Sequence, residues 1–140
     1  MKLFFLLILI TFTTNAQTIT GKWVTFDDNT GEKKGIVEIY EKDNKYHGKI
    51  IESFTSDENA ICEKCEGNKK NQPIIGLQII ENLKLKKDIY EGGTILDPEN
   101  GETYKCYIEI VNSNKIKVRG YIGFALLGRT QYWEKLKIQL

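Results

Sequence analysis

The pair Cys62 and Cys65 is the motif of this chain with the most specific chemistry. A Cys-x-x-Cys pair suits thiol–disulfide exchange where a helix begins, because the helix dipole lowers the pKa of a thiol. Here Glu66-Gly67-Asn68 follow within a polar stretch that has no helical pattern. Zinc would need four ligands, and two thiols with the distant His47 fall short of that set. The pattern favours a structural disulfide involving this stretch, and we expect no metal site.

The third cysteine, Cys106, leaves the pairing open. It alternates with polar residues between Tyr104 and Ile108, which places it on the same buried face as these two side chains. If Cys62 pairs with Cys65, Cys106 is an inert buried thiol. The other pairing would tether the polar stretch to the core through Cys106, and the spacing does not separate the two.

Candidate acid–base residues have simpler explanations. Paired carboxylates such as Asp97 with Glu99, or Asp27 with Asp28, could serve a hydrolase. Both pairs lie in turns, where Asp is common because its side chain caps nearby amides. The single histidine, His47, fits a solvated strand position, and no nucleophile has a partner base in a recognisable arrangement. We therefore predict no catalytic residue, no cofactor and no enzymatic activity.

These residues lie on a series of short alternating runs separated by turn residues, which is typical of an antiparallel meander. The predicted strands are residues 21–26, 34–41, 46–54, 74–83, 89–96, 102–111, 115–122 and 129–136. A long polar loop, residues 55–72, contains the cysteine pair. The fold class is all-β, and about eight antiparallel strands in sequence predict an up-and-down barrel, because closure removes both exposed edges.

The first 16 residues predict a cleaved signal peptide. Lys2 precedes the apolar residues 3–10, and Thr14-Asn15-Ala16 ends in small residues that suit a signal peptidase. This core is shorter than the roughly 20 apolar residues that span a bilayer, and no second run is long enough. We expect no membrane span, a single mature domain of residues 17–140, and a periplasmic or extracellular location.

Charge argues against a nucleic-acid partner. The chain has 20 basic and 19 acidic side chains, with a formal net charge of +1. These charges are interspersed, whereas nucleic-acid binding would need a one-sided basic surface. We predict no nucleic-acid binding.

Two sets of motifs resemble known families. Gly21-Lys22-Trp23 at the start of the meander, with Arg129 near Trp133 in the last strand, resembles the signature of lipocalin-like barrels. In those barrels the Trp closes one end and the Arg packs over its ring, which implies structural roles for Trp23 and Arg129. A longer ordered set resembles the exported bacterial family called domain of unknown function 2147. Its segments here are residues 21–23, 35–40, 46–50, 62–65, 92–98, 101–106, 118–123 and 127–133.

The resemblance implies a small lipocalin-like barrel and supplies no activity. The favoured function is binding of a small, mostly apolar ligand inside the barrel. The aromatic residues that could contact it are Trp23, Tyr40, Tyr104, Tyr121 and Trp133. The alternative is a structural or protein-interaction module of the cell envelope that has a filled core. Its working surface would be residues 55–72 or 124–128.

Overall fold

The computed structural model describes residues 8–14, 16–124 and 126–138. The predicted signal peptide falls partly outside them, at residues 1–7 and 15. Its described residues from 8 to 14 are exposed.

Eight antiparallel strands form one closed barrel in which each strand pairs with its neighbours in sequence. The strands are β1 (Gly21–Phe26), β2 (Lys33–Lys42), β3 (Lys45–Ser53), β4 (Gln78–Lys86), β5 (Ile89–Asp97), β6 (Glu102–Asn112), β7 (Lys115–Tyr121) and β8 (Gly128–Lys135). The predicted all-β, up-and-down barrel is confirmed. Among the described residues the one helical element is a short 3-10 turn, Gly67–Lys69, and no helix there is long and apolar enough to cross a membrane.

Seven predicted strands lie within about one residue of the observed bounds, whereas β4 begins four residues later than predicted. The apolar residues Ile74 and Leu77 suggested an earlier start. Instead, the Ile74 N–H donates to the Ala60 carbonyl and the Leu77 N–H to the Ile74 carbonyl. Gly76 has a φ of +91°, a left-handed conformation that interrupts a strand. The end of the long loop therefore takes residues that the alternation assigned to β4.

The barrel has two different ends. The turns at residues 43–44, 87–88 and 113–114 join the strands at one end, called here the closed end. The longer loops at residues 27–32, 54–77, 98–101 and 122–127 join them at the other, called here the open end. Both the start of β1 and the end of β8 lie at the closed end.

The closed half of the barrel is filled. Its buried side chains belong to the hydrophobic core and include Ile19, Trp23, Ile39, Leu83, Tyr90, Ile108 and Ile116. Ile19 precedes β1 and is fully buried, so the chain before the first strand plugs this end. The barrel closes through a short seam, since β1 and β8 share two register pairs, Trp23 with Lys135 and Val24 with Glu134.

Candidate functional site

The open half of the barrel contains a cavity of about 730 Å³. It reaches the surface between the loops of the open end. Five strands, β2, β3, β4, β5 and β7, supply its aliphatic lining: Ile36, Val37, Ile50, Ile79, Ile95, Leu96 and Val118. Cavities of about 300–1,000 Å³ with mostly apolar walls are typical of small-molecule sites.

Trp133 marks the boundary between the hollow and the filled halves. It lines the cavity and also belongs to the buried core cluster. The barrel is therefore hollow towards its open end and packed towards its closed end.

A column of polar groups rises along the inward face of β8 from this boundary. The indole Nε1 of Trp133 donates to Gln131 Oε1 at 2.9 Å. Gln131 Nε2 donates to Asp28 Oδ1 at 3.1 Å. The other oxygen of Asp28, Oδ2, lies 2.9 Å from Arg129 Nε. Alternation along β8 brings residues 129, 131 and 133 to one face, so this wall of the cavity carries hydrogen-bonding groups.

Arg129 stands at the top of this column and reaches across the opening. Its guanidinium contacts Asp28 of the β1–β2 loop and lies 3.6 Å from Asp97 Oδ2 at the end of β5. The side chain is 61% exposed, so solvent screens both ion pairs and each contributes little stability. They connect three parts of the rim, namely β8, the β1–β2 loop and the end of β5.

The rim beside the β5–β6 turn carries a second polar group. The Tyr104 hydroxyl donates to Glu102 Oε2 at 2.9 Å and accepts a hydrogen bond from Asn100 Nδ2 at 2.8 Å. The bond to the Glu102 carboxylate raises the pKa of Tyr104, which therefore stays a neutral donor at neutral pH. Lys34 and Glu99 form a further ion pair at 2.6 Å on this rim.

The long loop, residues 54–77, covers part of the opening and is held by a disulfide. Cys62 and Cys65 are bonded, and both are 1% exposed. The loop packs closely against the β5–β6 turn, so that a Cβ atom added at Gly101 would collide with the Lys64 carbonyl. Ile61 and other apolar residues of this loop line the cavity. The disulfide thus fixes a lid whose inner side is apolar.

Cys106 is the unpaired cysteine of the described chain. It faces the interior between Gly93 and Gly120 on the neighbouring strands. Burial raises the pKa of its thiol to about 12, so at neutral pH the thiol is protonated and unreactive. The tether between Cys106 and the loop, which the spacing left open, is not formed.

The five aromatic residues expected to contact a ligand lie in different places. Trp133 and Tyr104 line the cavity, and Tyr121 borders it, although the Tyr121 ring packs outward at 6.1 Å from the ring of Tyr107. Trp23 lies deeper, in the filled half. Tyr40 lies on the outer face, where its ring stacks on His47 with centroids 5.7 Å apart.

The cation over Trp23 is Lys135, and this differs from the role expected for Arg129. Lys135 Nζ lies 5.6 Å from the centre of the Trp23 ring, whereas Arg129 lies at the opposite end of β8, beside Asp28. The physical reason is register. In an antiparallel pair the start of β1 meets the end of β8, so Trp23 faces Lys135.

Alternation from Trp133 would have identified Gln131 as a site residue, because it is two positions earlier on the same face. Asp28 gave no comparable signal, since it was one of several turn carboxylates. The sequence also carried no signal for the loop residues that line the cavity, such as Ile61 and Leu127. The placement of loops depends on tertiary packing.

In the described part of the chain, no group of three or more His, Cys, Asp and Glu residues could hold a metal ion. Asp28 and Asp97 are both engaged with Arg129. His47 is outside the barrel, where its Nδ1 lies 3.1 Å from Gln78 Nε2. The site offers an apolar chamber that has hydrogen-bonding groups along one wall and at its rim.

Comparison with known proteins identifies the family of this chain. Residues 21–135 match the family model described as "Uncharacterized protein conserved in bacteria (DUF2147)". The chain belongs to this family, as the ordered motifs predicted. No curated protein sequence matches the chain significantly.

A solved structure gives independent support for the fold. It is described as protein HP1028 from the human pathogen Helicobacter pylori, belonging to the lipocalin family. The two structures superpose with a TM-score of 0.76 over 87% of this chain and 85% of that one, at 20% sequence identity. Similarity at this identity shows a shared lipocalin-like barrel.

Proposed function

We propose that this protein is exported and binds a small, mostly apolar molecule in the cavity of its open half, without catalysing a reaction. The cavity of about 730 Å³ is the observation that carries the proposal. Eight-stranded barrels that are not completely filled can hold one small ligand. The lipocalin-like fold supports the same class of function.

The lining indicates how such a molecule would lie. Its apolar body would contact the aliphatic walls formed by residues such as Val37, Ile95 and Val118. Its polar end would face the rim, where Arg129 and the Tyr104 hydroxyl are placed. Gln131 would allow one further hydrogen bond along the wall of β8.

Export is supported by the contrast on either side of Ala16. Residues 8–14 include the apolar side chains of Ile8, Leu9, Ile10 and Phe12, and all four are exposed. Beyond the expected cleavage point, Ile19 is fully buried and its carbonyl accepts the Trp23 indole N–H at 2.8 Å. Removing residues 1–16 would leave these contacts intact, and a disulfide suits an oxidising compartment.

The test of binding is titration of delipidated protein with fluorescent fatty-acid and retinoid probes. Ile95→Trp places a large side chain in the cavity, and we expect it to weaken probe binding by about tenfold or more. Tyr132→Trp introduces the same residue on the outer face of β8, where the side chain is 51% exposed, and is the matched control. Circular dichroism checks that both variants fold.

Two results would contradict the proposal. One is the absence of probe binding by the delipidated wild-type protein. The other is equal affinity in the Ile95→Trp and Tyr132→Trp variants, which would place the probe outside the cavity. Either result would favour the alternative, an envelope interaction module.

A further inference from the structure

The exposed apolar side chains of the barrel are concentrated at its open end. The described part of residues 21–135 has ten exposed large apolar side chains, and seven of them lie at the open end. They are Phe54, Ile61, Ile75, Ile122, Phe124, Leu126 and Leu127. Exposed apolar side chains gathered at one end of a molecule are typical of an interaction site.

The most prominent part of this surface is the β7–β8 loop, residues 122–127. Leu126 is 91% exposed and Phe124 is 76% exposed. No charged residue occurs from Ile122 to Gly128. Phe124 and Leu126 are called here the tip of the loop. Transfer of this tip out of water therefore costs less free energy than transfer of any other part of the open end.

Two backbone hydrogen bonds lie within this loop. The Ile122 N–H donates to the Leu127 carbonyl at 3.0 Å, and the Leu127 N–H donates to the Phe124 carbonyl at 2.9 Å. In a lipid environment each unsatisfied backbone group is costly. The two bonds lower this cost for the backbone groups that they join.

The apolar surface continues from the tip into the cavity. Ile122 and Leu127 are exposed, and both also line the cavity. An apolar molecule could follow these two side chains from the tip to the aliphatic walls without crossing bulk water.

The charges on the loops of the open end indicate which kind of lipid surface the protein could bind. The other three loops of the open end, residues 27–32, 54–77 and 98–101, carry eight carboxylates and three lysines. Anionic lipid would repel this excess of negative charge. Attraction to lipid would therefore come from the uncharged tip and not from electrostatics.

We propose that the tip of the β7–β8 loop docks this protein on a lipid bilayer, with no requirement for anionic lipid. Phe124 and Leu126 enter the interface between headgroups and acyl chains, as apolar side chains of peripheral proteins do. Passage of a ligand between the bilayer and the cavity along Ile122 and Leu127 rests on the proposed binding function, whereas docking does not. The exposed, uncharged side chains of the tip suit a lipid interface, which requires no matching shape.

The first experiment measures co-sedimentation with vesicles of phosphatidylcholine, alone or mixed with phosphatidylglycerol. We expect the wild-type protein to bind both, without stronger binding to the mixture. The double variant Phe124→Ser with Leu126→Ser should bind about tenfold more weakly or not at all. The matched control, Val111→Ser with Tyr132→Ser, removes two exposed apolar side chains away from the open end and should bind like wild type.

The second experiment separates docking from ligand binding. The double tip variant should bind a soluble fluorescent probe with wild-type affinity. Probe transfer from vesicles to wild-type protein should accelerate with vesicle concentration, and transfer to the tip variant should not. If the wild-type protein binds vesicles but takes up no probe, docking stands and the proposed ligand function fails.

Three outcomes overturn the inference. The wild-type protein fails to sediment with either vesicle, or the tip variant sediments as wild type does, or binding requires phosphatidylglycerol. Capture of an envelope protein by the tip, with no vesicle binding, would assign this surface to a protein partner instead.

Discussion

Trp23 has contacts on three sides at the closed end. Its indole N–H donates to the Ile19 carbonyl at 2.8 Å, and the Lys135 ammonium lies 5.6 Å from the ring centre. The ring is 1% exposed and packs within the core cluster. Removing it would leave a large cavity and an unpaired carbonyl in the filled half of the barrel.

We expect Trp23→Ala to lower the free energy of unfolding by about 3–5 kcal/mol, the usual cost of deleting a buried Trp. Urea denaturation monitored by circular dichroism measures this loss. Tyr132→Ala is the control, because Tyr132 is half exposed on the outer face, and it should cost about 0.5 kcal/mol or less. A loss below about 1 kcal/mol for Trp23→Ala would contradict the packing described for the closed end.

The Cys106 thiol should respond to pH through the difference between its folded and unfolded states. Burial raises its pKa from an ordinary value of 9.0 to about 12. Below about pH 9 the thiol is protonated in both states and does not affect stability. As the pH rises from there towards 12, the unfolded state ionises first, so stability falls.

We therefore expect the stability of the wild-type protein to decrease more steeply above pH 9 than that of Cys106→Ala. Urea denaturation across this range measures the two slopes. In a parallel assay without reductant, a thiol reagent should label no cysteine in the native protein and one after unfolding. Rapid labelling of the native protein at neutral pH would show that Cys106 is accessible, contrary to its burial.

Among the structural elements, the long loop contributes most to the shape of the site. It contains the Cys62–Cys65 disulfide and a two-residue bridge between Ile61 and Pro73. Lys69 of the same loop pairs with Glu81 of β4 at 3.1 Å. The disulfide and the bridge fix the shape of the loop, and the ion pair holds the loop against β4.

Replacing both Cys62 and Cys65 by Ser should release this lid. Closure of so short a loop by a disulfide is worth about 2 kcal/mol in the chain-entropy description. We expect a loss of that size in urea denaturation and faster dissociation of a bound probe in stopped-flow measurements. Cys106→Ala leaves the lid disulfide in place and should keep the wild-type dissociation rate, while equal rates in all three proteins would show that the loop does not retain the ligand.

Strand positions were predictable because alternation and turn residues are local signals. The turn at Asp43 and Asn44 illustrates this, since both residues adopt the positive φ that a two-residue hairpin turn needs. The contacts of Arg129 were not predictable in the same way. They depend on the placement of Asp28 and Asp97, which lie on separate elements and meet at the rim only after the barrel closes.

At the scale of the whole molecule, neighbouring strands of the barrel differ in how many residues they pair. β5 and β6 share seven register pairs, whereas β1 and β8 share two. A further hydrogen bond from the Leu136 N–H to the Lys22 carbonyl, 2.9 Å long, extends the short seam. Local opening of the barrel should begin where the fewest backbone bonds hold it.

Hydrogen exchange tests this order of opening. The Leu136 amide should exchange well before the amides of β5 and β6, because breaking the β1–β8 seam leaves the rest of the sheet paired. Mass spectrometry of peptides from both regions gives the comparison. Equal protection of the two seams would indicate that the barrel opens only by global unfolding.

An even number of antiparallel strands brings the beginning and the end of the barrel to the same pole, here the one filled by Trp23 and Ile19. Anything fused or immobilised at either extremity, such as a fluorescent partner or a sensor chip, would hold the molecule with its chamber pointing away from the support. No substitution that preserves the topology can reverse that orientation. Surface-attached copies should therefore present an unobstructed mouth to whatever is passed over them.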